Sequence, residues 1–146
     1  MIWREATRAD VPAVVALLAD DMLGHGRESA GVAPYLAAFD AMQEEGGNRL
    51  IAAEQDGRVV ACYQLTLISG LSLTAARRAQ VEGVRVAADL RGRGLGAALM
   101  ADAEARARAA GCQLIQLTTN ATRTDAHRFY ARLGFTPSHI GFKKPL

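Results

Sequence analysis

The sequence predicts a mixed α/β sandwich, one central sheet with helices on both faces. Three observations carry this. Two apolar, β-branched runs flank an Asp56-Gly57 turn, strands and helices alternate through the second half, and a glycine- and arginine-rich stretch separates a strand from a helix in mid-chain. Hairpins followed by alternating strands and helices build one layered sheet.

Taken in order, residues 2–6 read as a short strand. Thr7 or Asp10 can cap a helix whose apolar positions Val11, Val14, Val15, Leu18 and Met22 keep a 3.6-residue period, with Pro12 tolerated in its first turn. Residues 24–29 form a loop, and residues 34–45 a second helix stopped by Gly46 and Gly47. Strands at 50–54 and 59–68 meet at the Asp56-Gly57 turn, a strong hairpin signal. A loop at 70–78 leads to a strand at 80–86. After the Gly/Arg loop a helix runs to about residue 110, where Gly111 ends it. A strand at 114–118, a helix at 125–133 closed by Gly134, and one or two last strands over 135–144 complete the chain. No linker or internal repeat divides the 146 residues, so one domain is expected over residues 1–146.

Composition narrows the function. Half of the residues are hydrophobic and the formal net charge is +2, which gives no reason to expect nucleic acid or a membrane surface as partner. No apolar run approaches the ~20 residues a membrane helix needs, and no signal peptide is legible at the N-terminus. The cytoplasm is the expected compartment. Cys62 and Cys112 lie in apolar stretches and read as small buried hydrophobes. His25, His127 and His139 lack metal-ligand spacing, so no metal is expected.

The most informative stretch is Val84-Arg85-Val86-Ala87-Ala88-Asp89-Leu90-Arg91-Gly92-Arg93-Gly94-Leu95-Gly96. Glycines let a ligand approach the backbone N–H groups, and the helix behind them directs its positive end at the same place. Arg91 and Arg93 add charge suited to phosphate. A nucleotide P-loop would need Gly-Lys-Ser/Thr here, whereas Ala97 and Ala98 follow the turn. A dinucleotide fold would place the turn after its first strand and an acidic ribose ligand ~20 residues on. Residues 113–117 offer none. A pyrophosphate-bearing coenzyme such as CoA fits best. In the following helix Leu95, Leu99, Ala103 and Ala107 recur every fourth residue, a narrow face to pack on the sheet.

With these blocks in view, the chain resembles the GCN5-related N-acetyltransferase (GNAT) family. Arg91-Gly92-Arg93-Gly94-Leu95-Gly96 looks like the family's acetyl-CoA pyrophosphate loop. Ala126-His127-Arg128-Phe129-Tyr130-Ala131-Arg132-Leu133-Gly134-Phe135 looks like its segment ending in Tyr-x-x-x-Gly-Phe. The stretch from Asp125 through His139 is also similar to the aminoalkylphosphonate N-acetyltransferase branch. The resemblance implies a mixed sheet of six to seven strands and a splayed parallel pair, residues 80–86 and 114–118. It implies acetyl-CoA as cosubstrate, with the pantetheine arm pairing to the backbone of Val84 and Val86 beside Arg85. The family often has Asn three residues before Ala126. Arg123 stands there, and nearby Asn120 is the expected coenzyme contact, with His127 close to the coenzyme.

Acetyl transfer to a primary amine requires a base, because the amine is mostly protonated at neutral pH. Glu82 is the candidate, expected to share a strand face with Val84 and Val86, with Gly83 able to form a bulge; the competing reading is a solvated carboxylate. The Val84 N–H would stabilise the oxyanion. Tyr130 would protonate the departing thiolate, against a competing role as a core aromatic. His25, Arg27, Glu28 and Tyr35 are the expected acceptor contacts. The acceptor is expected to be a small-molecule amine, with a homodimer as one assembly. Two alternatives stay open: a protein N-terminal or lysine acetyltransferase, and a non-catalytic CoA-binding module.

Overall fold

The computed structural model describes residues 1–20 and 31–146. The chain divides into two compact units, Met1–Gln116 and Leu117–Leu146. The first unit holds β1 (Ile2–Glu5), a 3-10 turn (Arg8–Asp10), α1 (Val11–Ala19), α2 (Ala33–Glu45), β2 (Asn48–Gln55), β3 (Arg58–Ile68), β4 (Arg78–Val86), a second 3-10 turn (Ala88–Leu90) and α3 (Leu95–Ala109). Strand β5 (Leu114–Leu117) ends it.

The sheet runs β1-β2-β3-β4-β5, with β1 to β4 antiparallel in sequence order. The β2–β3 hairpin turns on Asp56 (φ 52°) and Gly57 (φ 76°), the two successive left-handed residues that match strand twist. Strand β5 runs parallel to β4. The Gln113 N–H bonds the Arg77 carbonyl at 2.8 Å, and Gln116 Nε2 bonds Gln80 Oε1 at 2.7 Å, so both chains ascend together. Among the described residues there are five strands, fewer than the expected six to seven.

Helices cover both faces, as the pattern predicted. On one face Ile51, Tyr63, Leu65 and Val81 are buried, as are Leu95, Leu99, Met100, Ala103 and Ala107 of α3. A polar tie there spans sheet and helix through a fully buried side chain: the Tyr63 hydroxyl donates to Asp102 Oδ2 at 2.5 Å, which also accepts from Arg106 Nε at 2.8 Å. Burial first, and then the Asp102 carboxylate, push the Tyr63 phenol well above its usual range, so it stays a donor.

The other face carries α1 and α2. Arg4 on β1 forks to Asp10 (2.7 and 3.0 Å) at the start of α1 and to Glu54 on β2 (2.7 and 3.0 Å). The Arg4 guanidinium holds the Asp10 carboxyl far below the usual carboxylate range, against the opposing effect of burial and with help from the Thr7 N–H and hydroxyl. A carboxylate held low stabilises the fold above its unfolded value, ordinarily 3.8, and that contribution drains away as pH falls below it. Asp10→Asn is therefore expected to cost about 1–3 kcal/mol at neutral pH. In denaturant titrations the gap to wild type should close as the pH drops below the ordinary carboxylate value.

The second unit holds an Asx turn at Asn120, α4 (Thr124–Arg132) and residues 133–146 without regular structure. Asn120 Oδ1 accepts the Thr122 N–H at 3.0 Å and the Thr122 hydroxyl at 2.7 Å. The strands expected over 135–144 do not form. The Phe135 N–H is committed to the helix cap, and Pro137 supplies no N–H. No helix among the described residues is long and apolar enough to cross a membrane.

Candidate active site

The site is built on the second half of β4. Glu82 pairs with Gln64 and Arg85 with Cys62, so Gly83 and Val84 together stand opposite Tyr63. This is a bulge, and Gly83 makes it possible with φ 61°. A Cβ on Gly83 would meet Leu18 of α1 at 3.7 Å. The predicted bulge thus forms, and it changes the alternation. Gln64 and Cys62 share a face, so Glu82 shares a face with Arg85. Val84 and Val86 point to the opposite face, which corrects the expectation that 82, 84 and 86 align. The extra residue shifts the period of two by one.

Beneath the bulge the Cys62 thiol faces the Gly83 carbonyl at 3.7 Å. Burial pushes this thiol up to about 12, with Arg85 opposing weakly. It stays protonated and packs as the small hydrophobe the sequence suggested.

Past the bulge β4 has an open edge. Its Ala87 N–H bonds the Val60 carbonyl at 2.8 Å, so by alternation the backbone groups of Val86 and Val84 point away from β3. The offset set by Arg77–Gln113 and Gln80–Gln116 ends β5 level with Val81. No strand among the described residues covers Glu82 to Val86 on that side. The two outward carbonyls meet arginines: Arg85 Nη1 donates to the Val84 carbonyl at 2.8 Å and Arg91 Nε to the Val86 carbonyl at 3.1 Å. The outward N–H groups of such an edge are what an extended ligand uses.

The glycine loop follows directly. Gly92 (φ 76°) and Gly94 (φ 79°) are left-handed, and an added Cβ at either meets nothing within 4 Å. Gly94 is the N-cap of α3 and no side chain caps that end. Its first amides therefore have no side-chain acceptor, with clear space in front of them. Leu95 is buried and fixes the first turn, while Gly96 adds no bulk. Arg91 also donates to the Asp20 carbonyl at 2.8 Å, tying the loop to the end of α1. Arg93 is exposed on the loop, and Asp89 nearby is paired at 2.8 and 2.9 Å with Arg58. That pairing, reinforced by Arg93, holds the Asp89 carboxyl down at about 2. These residues fit a pyrophosphate: bare amides, positive charge and no side chain in the way.

In the second unit Asn120, His127 and Tyr130 are organised around α4. The His127 Nε2–H donates to the Asn120 carbonyl at 3.1 Å, which fixes the tautomer of the neutral ring. The Tyr-x-x-x-Gly-Phe signature is a helix stop. Phe135 N–H bonds the Tyr130 carbonyl and Gly134 N–H the Ala131 carbonyl, each at 3.1 Å, with Gly134 at φ 92°. The rings of Tyr130 and Phe135 meet edge-on at 5.8 Å, and Phe129 meets Tyr130 at 5.0 Å. The motif therefore holds the Tyr130 ring between Phe129 and Phe135.

Tyr35 lies half-buried near the start of α2. His25, Arg27 and Glu28 lie outside the described residues. A row of polar side chains passed unnoticed in the sequence. Asn48 Oδ1 accepts from Thr66 Oγ1 (2.8 Å) and Gln64 Nε2 (3.2 Å), on the sheet face of Glu82. The signal was present as Gln64 and Thr66 interrupting an otherwise apolar strand.

A strand edge left open beside a bare helix N-terminus, with a carboxylate at the bulge, is a geometry that can take a phosphate-bearing acyl coenzyme against the sheet. The chain belongs to the acetyltransferase (GNAT) family, whose profile matches residues 12–135. Acetyl-CoA is that family's cosubstrate. Over 67 residues the chain is 45% identical to the aminoalkylphosphonate N-acetyltransferase of Salmonella typhimurium, a match covering 46% of this chain and 44% of that one. The chain thus matches less than half the length of that relative. A crystal structure described as a transcriptional regulator from Bacillus halodurans C-125 is 40% identical, covers 99% of both chains and superposes with a TM-score of 0.94. A Trypanosoma brucei acetyltransferase, 24% identical over 99% of both chains, shares the fold with a TM-score of 0.81.

Proposed function

We propose that this chain transfers the acetyl group of acetyl-CoA to the primary amine of a small-molecule acceptor, as one transferase domain in the cytoplasm. The observation that carries the reading is the uncovered edge of β4 running into the bare, glycine-lined N-terminus of α3. The coenzyme supplies an activated acetyl thioester. The amides of α3 and the charge of Arg91 and Arg93 hold the pyrophosphate, and the backbone of Val84 and Val86 pairs with the extended arm. Asn120 and His127 add contacts to the coenzyme, and Tyr35, His25, Arg27 and Glu28 meet the acceptor.

Glu82 takes the proton of the acceptor's ammonium group, directly or through water, and the freed nitrogen attacks the carbonyl carbon. The Val84 N–H donates to the oxyanion as the C–N bond forms. The C–S bond then breaks, the Tyr130 hydroxyl hands a proton to the thiolate, and the second proton, which the nitrogen sheds as it becomes an amide, returns through water to the Tyr130 phenolate. The test is thiol release from acetyl-CoA over a panel of small amines, peptides with free N-termini and lysine peptides. Release that depends on a small amine supports the reading. Release only with peptides, or with none, overturns it.

Tyr130→Phe keeps the ring contacts with Phe129 and Phe135 and removes the hydroxyl alone. Turnover should fall about tenfold or more, while the affinity for acetyl-CoA holds. Wild-type turnover would return Tyr130 to a purely structural role in the helix cap.

A further inference from the structure

Arg78 opens β4 on the face that carries Glu82. The register is regular through this half of the strand: Ile68, Thr66 and Gln64 pair with Arg78, Gln80 and Glu82 in turn. All three β4 side chains therefore project to one face. Arg78 is half-buried, and its Nε is shut away from solvent without a hydrogen-bond partner. Arg4 is spent on Asp10 and Glu54 and Arg106 on Asp102 and the Trp3 carbonyl, while Arg77 and Arg85, which also bury their Nε, each place another guanidinium nitrogen on a partner, the Ser69 hydroxyl and the Val84 carbonyl. Arg78 makes no such bond among the described residues. It lies beside Gly70, where an added Cβ would come within 4.0 Å of Nη1, so the chain leaves it room. Glu82 is exposed and has no cation partner among the described residues either.

A buried donor left unsatisfied costs stability, so a fold that keeps one invites a ligand to satisfy it. Four residues of strand separate Arg78 and Glu82, about 13 Å between Cα atoms. The two make no bond to each other among the described residues, and their spacing along the strand matches a short molecule held at one end by each side chain. Between them Gln80, bonded to Gln116, and the Asn48–Gln64–Thr66 cluster give a polar floor. Resting on the function proposed above, we propose that Arg78 is the specificity residue of the acceptor site. It takes the acidic group of a short aminoalkyl acid, phosphonate or carboxylate, whose nitrogen lies at Glu82. A guanidinium matches both acids with paired N–H donors.

The test compares 2-aminoethylphosphonate, β-alanine and propylamine as acceptors for wild type, Arg78→Met and Arg78→Lys. Wild type should prefer at least one acid over propylamine in kcat/KM, and the phosphonate and carboxylate arms tell which acid is read. In Arg78→Met that preference should shrink by about 10–100-fold, through KM of the acid far more than kcat. Arg78→Lys should restore part of it. Because the wild-type Nε is unsatisfied, Arg78→Met should melt no lower than wild type, which separates lost recognition from lost folding. Calorimetric titration with 2-aminoethylphosphonate or β-alanine, without coenzyme, should show binding that Arg78→Met loses. Binding lost in this way without turnover would defeat the proposed reaction and leave Arg78 as an acid-binding residue. Turnover with no preference for either acid, or a preference that survives Arg78→Met, would overturn the role of Arg78 and leave the reaction standing.

Discussion

Gly94→Asp is expected to weaken acetyl-CoA binding about a hundredfold or more, near 3 kcal/mol. Gly94 caps α3 at φ 79° with clear space where its side chain would grow. An aspartate there projects a carboxylate into the volume proposed for the pyrophosphate and accepts the helix amides meant for it. The left-handed backbone strains an aspartate there by about 1–2 kcal/mol, a cost shared by the control below. Gly94→Asn is the control. Asparagine tolerates the left-handed conformation about as well and carries no charge. It should lose affinity less than aspartate, and the difference between the two reads the electrostatic share. Calorimetry with CoA checks both variants, and unchanged affinity in a folded Gly94→Asp protein would remove this loop from the site.

The second large effect belongs to Glu82. Glu82→Gln keeps the size and the hydrogen-bonding capacity of the side chain and removes its ability to accept a proton. At neutral pH, where the acceptor is mostly ammonium, turnover should fall about 10²–10⁴-fold. The deficit should shrink as pH rises toward the amine's own pKa, near ~10.4, because free amine then forms without help. A deficit equal at every pH would make Glu82 a positioning group. No deficit would hand the proton to water or another residue, with His25 the next to test.

Much of this was legible before any coordinates, for reasons that particular residues make plain. The Asp56-Gly57 turn, the Gly111 and Gly134 helix stops and the four-residue repeat from Leu95 to Ala107 are local signals, and each element formed as read. The loop at 91–96 was equally clear, because glycine and arginine between strand and helix act through the backbone alone. The face of Glu82 was not legible. The glycine that permits the bulge was visible, but pairing of Gln64 with Glu82 and Cys62 with Arg85 is a long-range register, and it alone decides which side chains align. The final strands failed for a related reason. Ile140 and Phe142 alternate as a strand would, yet Phe135 is consumed by the Tyr130 cap and Pro137 cannot donate. Arg78 was missed because the sequence places it at the end of the 70–78 loop, where an arginine reads as solvent-exposed, whereas the strand begins at Arg78 itself and buries its Nε.

The central claim is that β4 and its glycine loop carry acetyl from coenzyme to a small amine. The direct measurement incubates the protein with acetyl-CoA labelled in the acetyl group and 2-aminoethylphosphonate, then follows the label by mass spectrometry in wild type and Gly94→Asp side by side. The account predicts that the label moves to the amine nitrogen in step with thiol release. It predicts that Gly94→Asp slows both together at subsaturating coenzyme and recovers as coenzyme is raised. Label that stays on the coenzyme with this acceptor and every other small amine, or transfer that Gly94→Asp leaves at the wild-type rate, would contradict it.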